Sequence, residues 1–429
     1  MTAIATPLAS PSRFAPATAA LRTETGLARL ALGAVALHAV DDAWLQPNPG
    51  TSAADHLFGG LVPLVLLSVA AVLYPRLRAG SRAVVALLAG FFGVLSGVEA
   101  VAYLRDGGLS GDDYTGLVSI PAGLVLLGLG AWTLWRSRRR DDSPWWRWTR
   151  RALWLGVTFV VASAVLFPTV IAYTVTHVLR GHVPEAELGV PYEDVSFTTS
   201  DRLRLEGWYI PSKNGAAVIS FPGRTASQER ARMLARHGYG VLLFDRRGEG
   251  ASEGDPNLFG WQGERDVHAA VAFLQARPDV DPQRIGGIGL SVGGEIMIEA
   301  SAESAALKAI VSEGGSGRSV RDTFANPDRE WLDVIGNGFA STATALFTGN
   351  VPPAALRDLV PKMHAAAFFI YGENGQPVEE PANRAFYEKA PGYAELWEVP
   401  GSGHMGGAKA QPDEYERRLV AFFDRTLLQ

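Results

Sequence analysis

The sequence contains no cysteine, which excludes disulfide bridges and thiolate metal sites. It also has no basic excess: 39 Lys and Arg stand against 44 Asp and Glu, so no nucleic-acid partner is expected. No phosphate-binding loop or cluster of metal ligands is found, and the Gly-rich run 286–289 lacks the dinucleotide fingerprint, so we expect no cofactor and no metal. The N-terminal region has no early apolar segment followed by a small-residue cleavage site. A removable signal peptide is therefore not expected.

Apolar residues are concentrated before about residue 180. A membrane-spanning helix needs about 20 predominantly apolar residues. Four runs satisfy this length: 57–74, 83–104, 116–135 and 152–178. We count residues 27–44 as a fifth span, although this run includes Arg29, His38, Asp41 and Asp42. The pattern predicts a multi-span α-helical transmembrane bundle over residues 1–180. The alternative is the buried helical core of a soluble protein.

Charged residues in the predicted loops orient these spans. Two loops are rich in arginine: Arg76, Arg78 and Arg82 in one, and Arg136, Arg138, Arg139, Arg140, Arg147, Arg150 and Arg151 in the other. The alternate loops are acidic, with Asp41, Asp42 and Asp55 in one and Asp106, Asp112 and Asp113 in the other. Arginine-rich loops stay in the cytoplasm. We therefore predict a multi-pass protein of the cell membrane, with a cytoplasmic N-terminus and an extracytoplasmic C-terminal domain.

Four ionisable residues lie near the predicted outer end of the bundle. They are His38, Asp41, Asp42 and Glu99. Ionisable groups inside spans are candidates for function. The other interpretation, which we favour, is that these side chains are hydrated at the membrane surface.

The second half of the chain alternates between strand and helix patterns. Residues 181–192 form a Pro- and Gly-containing linker, and strands are predicted at 195–198, 203–210, 216–221, 240–244, 285–288, 307–312, 365–371 and 395–399. Helices are predicted at 228–237, 264–276, 412–428 and directly after the strand at 285–288. This alternation is typical of a mostly parallel, doubly wound sheet, here over residues 193–429.

The segment Gly289-Leu290-Ser291-Val292-Gly293 has the pattern G-x-S-x-G between a predicted strand and a predicted helix. This is the context of a nucleophile elbow, in which a tight turn raises a serine hydroxyl above the sheet. The next amide, that of Val292, would begin the helix, where an oxyanion can be stabilised. Ser291 is therefore the candidate nucleophile, and it needs an adjacent base.

Three further segments resemble the α/β-hydrolase superfamily. Residues 245–252 (DRRGEGAS) are similar to its D-x-R-G-x-G-x-S stretch. Residues 277–285 (RPDVDPQRI) resemble the entry to the nucleophile strand in dienelactone-hydrolase-like and prolyl-oligopeptidase-like members, and 401–404 (GSGH) resemble the catalytic histidine loop. The resemblance covers nearly all of 190–429. It implies an α/β-hydrolase domain with His404 as the base and the amides of Val292 and Arg224 as oxyanion donors.

The acid that would orient His404 is not fixed by the resemblance. The family usually carries it in a G-x-x-D turn, but the sequence here reads Gly372-Glu373-Asn374-Gly375. We favour Glu313, which directly follows the predicted strand 307–312, because some members place the acid at the end of that strand. Glu373 is the second choice, and Glu379 lies nearby but off the pattern. The remaining alternatives are that a neutral group orients His404 or that the site is impaired.

These features predict a membrane-anchored serine hydrolase that cleaves an ester or amide bond through an acyl-enzyme on Ser291. The segment 314–364 is too long for a simple connection and is predicted to be a lid over the site. The expected partners are the lipid bilayer and a small-molecule or peptide acyl substrate. The alternative function is a non-catalytic receptor or scaffold of hydrolase fold attached to a functional membrane bundle.

Overall fold

The computed structural model describes residues 23–106, 113–137, 144–161, 167–177, 180–325 and 331–429. Its packing divides the chain into two compact units. The first consists of the described parts of Met1–Pro47 and Ala53–Leu155, and the second of Asn48–Ser52 and the described parts of Gly156–Gln429. Residues 180–192 form neither helix nor strand. The division into a membrane domain, a linker and a catalytic domain stays a prediction.

The N-terminal region is helical, with α1 Glu24–Val40, α2 Leu57–Leu73, α3 Ala79–Asp106, α4 Asp113–Arg136, α5 Pro144–Val161 and α6 Phe167–Thr176. Three helical stretches among the described residues are long and apolar enough to cross a membrane: Leu57–Arg76, Ala79–Val98 and Tyr114–Arg136. They coincide with three of the five predicted spans. The predicted span 27–44 lies in α1 and in the π-helical turn Asp41–Leu45 that continues it, and it is not among these three stretches. The predicted span 152–178 includes residues outside the described part, so the count of five stays a prediction.

Helices α3 and α4 pack with their backbones in close approach. A Cβ atom added at Gly97 would lie 2.5 Å from the carbonyl oxygen of Gly116, and one at Gly90 would lie 2.7 Å from that of Gly123. Real Cβ atoms do not approach backbone atoms so closely, so the contact requires glycine. Small residues of this kind are common where apolar helices associate.

Two of the four ionisable residues of this unit are buried, which corrects the expectation that they are hydrated. His38 and Asp41 are 7% and 6% exposed. His38 Nε2 lies 2.9 Å from the carbonyl oxygen of Ser96, and its Nδ1 lies 3.1 Å from the hydroxyl of Thr115, which donates to Asp41 at 2.7 Å. Neighbouring helices thus supply the partners that water would provide. Asp42 is half-buried, and the side chain of Glu99 lies outside the described part.

The second unit contains an eight-stranded sheet in the order β1-β2-β4-β3-β5-β6-β7-β8. The first two strands pair antiparallel to each other, and β2 is antiparallel to β4, whereas all pairs from β4 to β8 are parallel. The strands are β1 Glu193–Thr198, β2 Arg204–Ile210, β3 Ala217–Phe221, β4 Gly240–Phe244, β5 Ile285–Leu290, β6 Ala309–Glu313, β7 Ala366–Asn374 and β8 Ala394–Gly403. This is the sheet of the α/β-hydrolase fold, as predicted.

Helices cover both faces of this sheet. The helices that follow β1 in the chain, not all of which contact the sheet, are α7 Gly223–Ala226, α8 Gln228–Arg236, α9 Gly263–Gln275, α10 Val292–Glu303, α11 Val320–Ala325, α12 Trp331–Thr348, α13 Leu356–Leu359, α14 Glu379–Lys389, α15 Gly407–Ala410 and α16 Pro412–Phe423. In β3, Ile219 packs with α9 and α10, and its neighbour Val218 packs with α8 and α16 on the opposite face. Because successive strand residues point to opposite faces, one buried strand supplies two cores.

The segment 314–364, predicted to be a lid, contains α11, α12 and α13, with residues 326–330 outside the described part. Its role as a lid stays a prediction. Helix α14 is absent from the sequence-based assignment. The carboxyl ends of β3 to β8 all lie at one edge of the sheet, which is where an α/β domain places its site. Ser291, Glu313 and His404 follow or end three of these strands.

Candidate active site

Ser291 lies in the turn between β5 and α10 with φ +50° and ψ −122°. The turn leaves no room for side chains on its glycines. A Cβ at Gly289 would approach the carbonyl carbon of Gly293 to 2.3 Å, and one at Gly293 would lie 3.0 Å from the carbonyl oxygen of Phe221. These neighbours are backbone atoms, which cannot rotate away. The strand–turn–helix geometry expected for G-x-S-x-G is therefore present.

His404 connects this serine to a carboxylate. Its Nε2 lies 3.0 Å from Ser291 Oγ, and its Nδ1 lies 2.6 Å from Glu379 Oε1. Since an ionised carboxylate only accepts hydrogen bonds, Nδ1 carries the proton and Nε2 accepts from the serine hydroxyl. The hydrogen bond to Glu379 raises the pKa of His404 above its ordinary value, although partial burial opposes this rise.

The acid beside His404 is Glu379, which corrects the expectation of Glu313. Glu379 is the first residue of α14 and is 1% exposed. Its Oε1 also accepts a hydrogen bond from the amide of Gln376 at 2.8 Å. A Cβ at Gly375 would lie 2.7 Å from Glu379 Oε2. The position at which the family carries aspartate and the carboxylate of Glu379 thus compete for the same space, and the longer glutamate reaches it from four residues further along the chain.

The two carboxylates expected from the sequence have other hydrogen-bond partners. Glu313 is 2% exposed and accepts from Arg230 at 2.7 Å, from the Tyr415 hydroxyl at 2.6 Å and from the amide of Gly407 at 2.9 Å. Glu373 is exposed and accepts from the amide of Gly401 at 2.7 Å. In both cases the carboxylate is directed to a group other than His404, so neither fills the expected role.

The two predicted oxyanion donors differ. Val292 is the first residue of α10, so its amide has no acceptor within the helix and lies at the positive end of the helix dipole. The amide of Arg224 donates to Asp245 Oδ1 at 3.3 Å, and its Nε donates to Asp245 Oδ2 at 3.0 Å. The expectation that this amide is an oxyanion donor is therefore corrected, because the amide already donates to Asp245.

The arrangement can activate a hydroxyl without further groups. A serine bonded to an imidazole, itself held by a carboxylate, can transfer its proton while the oxygen attacks a carbonyl carbon. Among the described residues, no group of three or more His, Asp or Glu side chains could hold a metal ion.

Among curated proteins, the chain is similar to a polyketide transferase of a Penicillium species, with 33% identity over 33% of this chain and 49% of that protein. It is also similar to a thiohydrolase of Aspergillus aculeatus, with 35% identity over 28% of this chain and 41% of that protein. The chain thus spans less than half the length of these relatives. An esterase from Pyrococcus furiosus is 26% identical over 58% of this chain and 97% of its own, with a TM-score of 0.48.

The family model of the X-Pro dipeptidyl-peptidases of the S15 family matches residues 180–397, more than half of the chain. The matched segment contains the elbow with Ser291 and the first residue of α14, Glu379, and it ends before His404. This chain belongs to the X-Pro dipeptidyl-peptidase (S15) family.

Proposed function

We propose that this protein is a membrane-anchored serine hydrolase that cleaves an acyl bond through a Ser291 acyl-enzyme. The observation that carries the proposal is the continuous hydrogen-bond chain from Ser291 through His404 to Glu379, with distances of 3.0 Å and 2.6 Å. Residues from three separate segments of the chain meet in this arrangement, and it has the order of groups that a serine nucleophile requires.

In this mechanism Ser291 Oγ attacks the acyl carbon while His404 Nε2 takes the hydroxyl proton. Glu379 stabilises the imidazolium that forms, and the amide of Val292 donates to the developing oxyanion. When the tetrahedral intermediate collapses, the bond to the leaving group breaks and His404 returns the proton to that group. Water, deprotonated by His404, then attacks the acyl-enzyme, releasing the acid and restoring Ser291.

The candidate substrate classes follow from the family, from one relative and from the sequence. The family name refers to peptide bonds, and one relative is named a thiohydrolase. We therefore include amides, esters and thioesters as candidate substrates. Membership of the family supports hydrolysis, and the ester or amide predicted from the sequence lies within this set.

We also propose that the helical unit anchors the domain in a bilayer. Support comes from the three apolar helices and from the arginine-rich loops between the predicted spans. In the five-span arrangement the hydrolase domain lies outside the cytoplasm, at a cell membrane, with the N-terminus inside.

The proposal is tested by labelling the full-length protein in membranes with a fluorophosphonate probe, which reacts with activated serines. We expect labelling of the wild type, none of Ser291→Ala, and unchanged labelling of Ser200→Ala, a control at an exposed serine. Equal labelling of wild type and Ser291→Ala would instead support the scaffold alternative. Hydrolysis of a p-nitrophenyl ester, an acyl thioester and an aminoacyl p-nitroanilide by the same preparation then separates the three substrate classes.

A further inference from the structure

Glu313 contacts both halves of the candidate active site through different atoms. Its backbone carbonyl accepts a hydrogen bond from the amide of Ser291 at 2.7 Å. Its side-chain Oε1 accepts one from the amide of Gly407 at 2.9 Å, three residues after His404. One residue at the end of β6 therefore holds the serine turn and the histidine loop together.

A buried arginine reinforces the contact to the histidine loop. Arg230 donates to Glu313 Oε2 at 2.7 Å and, from the same nitrogen, to the carbonyl oxygen of Met405 at 3.1 Å. The Tyr415 hydroxyl also donates to Oε2, at 2.6 Å. Arg230, Glu313 and Tyr415 are each at most 5% exposed. The loop is thus held at two points, the Met405 carbonyl and the Gly407 amide, by a charge pair shielded from water.

The backbone of the histidine loop explains why it needs such support. Met405 has φ +55°, a left-handed conformation that a residue with a side chain rarely adopts. Such a conformation persists only where the surrounding structure imposes it. A Cβ at Gly314 would lie 3.0 Å from His404 Nδ1, so the chain directly after Glu313 packs against the imidazole.

We propose that Glu313, held by Arg230, is a positioning residue that fixes His404 relative to Ser291. The inference rests on the proposed function, because it assigns Glu313 a part in the same reaction without contact to the substrate. A displacement of about 1 Å at a reacting group lowers the rate by about 10²-fold. Loss of the contact to the Gly407 amide or of the contact to the Met405 carbonyl is expected to lower kcat by about this factor and to have little effect on KM.

The test compares Glu313→Gln, Glu313→Asp and Glu388→Gln in the full-length protein with a p-nitrophenyl ester as substrate. Glu313→Gln removes the charge that holds Arg230, and Glu313→Asp keeps the charge but shortens its reach. We expect kcat to fall by about 10²-fold in both, with KM nearly unchanged. Glu388→Gln, the same chemical change at an exposed glutamate away from the histidine loop, is expected to behave as wild type.

The pH dependence of kcat/KM gives Glu313→Gln a second readout, which simple loss of folded protein does not change. The pKa of His404 is raised first by its hydrogen bond to Glu379, against burial, and further by the negative charges of Glu379, Glu313 and Glu295. The acid limb of the profile should therefore move to lower pH in Glu313→Gln and stay in place in Glu313→Asp. Partial unfolding lowers the amplitude of the profile without moving the limb.

If Glu313→Gln does not fold, Glu313→Asp and Arg230→Lys carry the test through the loss of kcat at constant KM, with kcat expressed per folded molecule. Wild-type kcat in the variants that fold would overturn the inference while leaving the proposed function intact. A reduced kcat in Glu313→Gln that returns to the wild-type value when the rate is expressed per folded molecule, counted by saturating fluorophosphonate labelling, would also overturn it, because that pattern indicates loss of folded protein. Absence of Ser291-dependent hydrolysis in the wild type would instead refute the proposed function.

Discussion

A side chain at position 375 would collide with the carboxylate of Glu379, since a Cβ there would lie 2.7 Å from Glu379 Oε2. The other oxygen of the same carboxylate lies 2.6 Å from His404 Nδ1. Glycine at 375 therefore makes room for a glutamate that begins the next helix. We therefore expect positions 375 and 379 to be alternative sources of one carboxylate at one place in the fold.

The first prediction concerns Glu379→Gln. The substitution removes the charge that stabilises the imidazolium in the transition state, so kcat should fall by about 10²–10⁴-fold with little change in KM. Steady-state ester hydrolysis measures both constants. Glu380→Gln changes the exposed neighbouring residue and should leave both near wild type. Full turnover by correctly folded Glu379→Gln would return the acid role to another residue.

A second prediction concerns pH. The neutral form of His404 is the active base, and its hydrogen bond to Glu379 raises its pKa. Activity should therefore increase with pH, and the midpoint of this increase should lie above about 6.5, the usual pKa of histidine. In Glu379→Gln this limb should move to lower pH. The His404–Glu379 pair also contributes to the free energy of unfolding. This contribution is fully present below the pKa that His404 has in the unfolded chain, and it is lost as the pH rises through the raised pKa of His404 in the folded protein.

Moving the carboxylate gives a third prediction. Glu379→Ala should be nearly inactive, and adding Gly375→Asp should restore activity by at least about tenfold, equivalent to ~1.4 kcal/mol of transition-state stabilisation. The matched control adds Asn374→Asp, which puts a carboxylate one residue away at an exposed position. A gain in the control but not in the Gly375→Asp variant would contradict the competition for one space. Gly375→Ala alone should reduce kcat, because its methyl group displaces Glu379.

The fourth prediction tests the serine turn. Gly289→Ala would put a methyl carbon 2.3 Å from the carbonyl carbon of Gly293, so the elbow must distort. We expect destabilisation of about 1–3 kcal/mol or more, together with loss of probe labelling at Ser291. Thermal unfolding in detergent measures the first effect. Gly392→Ala, where no atom lies within 4 Å of the added carbon, is the control and should unfold at the wild-type temperature.

The fifth prediction concerns orientation in the membrane. A reporter fused after Gln429 should be active only if it is of the kind that works outside the cytoplasm. Replacing arginines of the loop 136–151 by glutamate should produce mixed orientations, because these residues provide the positive charge that retains the loop. Activity of a cytoplasmic reporter on the unmodified chain would contradict both the orientation and the count of five spans.

The sheet was predictable because its strands have strong local patterns. The segment Ala217–Phe221 is apolar except for Ser220 and is fully buried, as expected of a central parallel strand. The elbow was equally clear, since the glycines around Ser291 are needed by local geometry alone. Features that depend on a few neighbouring residues were therefore accessible from the sequence.

Helix α14 was not predicted, and with it the neighbour of His404 was missed. Its first turn contains two glutamates and Pro381, which weaken the apolar pattern, although proline is tolerated in a first turn. Which carboxylate reaches His404 depends on the space left by Gly375. The hydrogen bond from Arg230 to Glu313 likewise joins residues 83 positions apart. Such choices follow from the three-dimensional packing, which the local pattern does not contain.

The contact between α3 and α4 has a mechanical consequence. The backbone of Gly90 in α3 contacts that of Gly123 in α4, and the backbone of Gly97 contacts that of Gly116. A shift of either helix by one residue would bring a Cβ-bearing residue to these points and force the axes apart. Sliding is therefore blocked at two levels separated by about two turns. In any motion of the helical unit, we expect α3 and α4 to move as one rigid body.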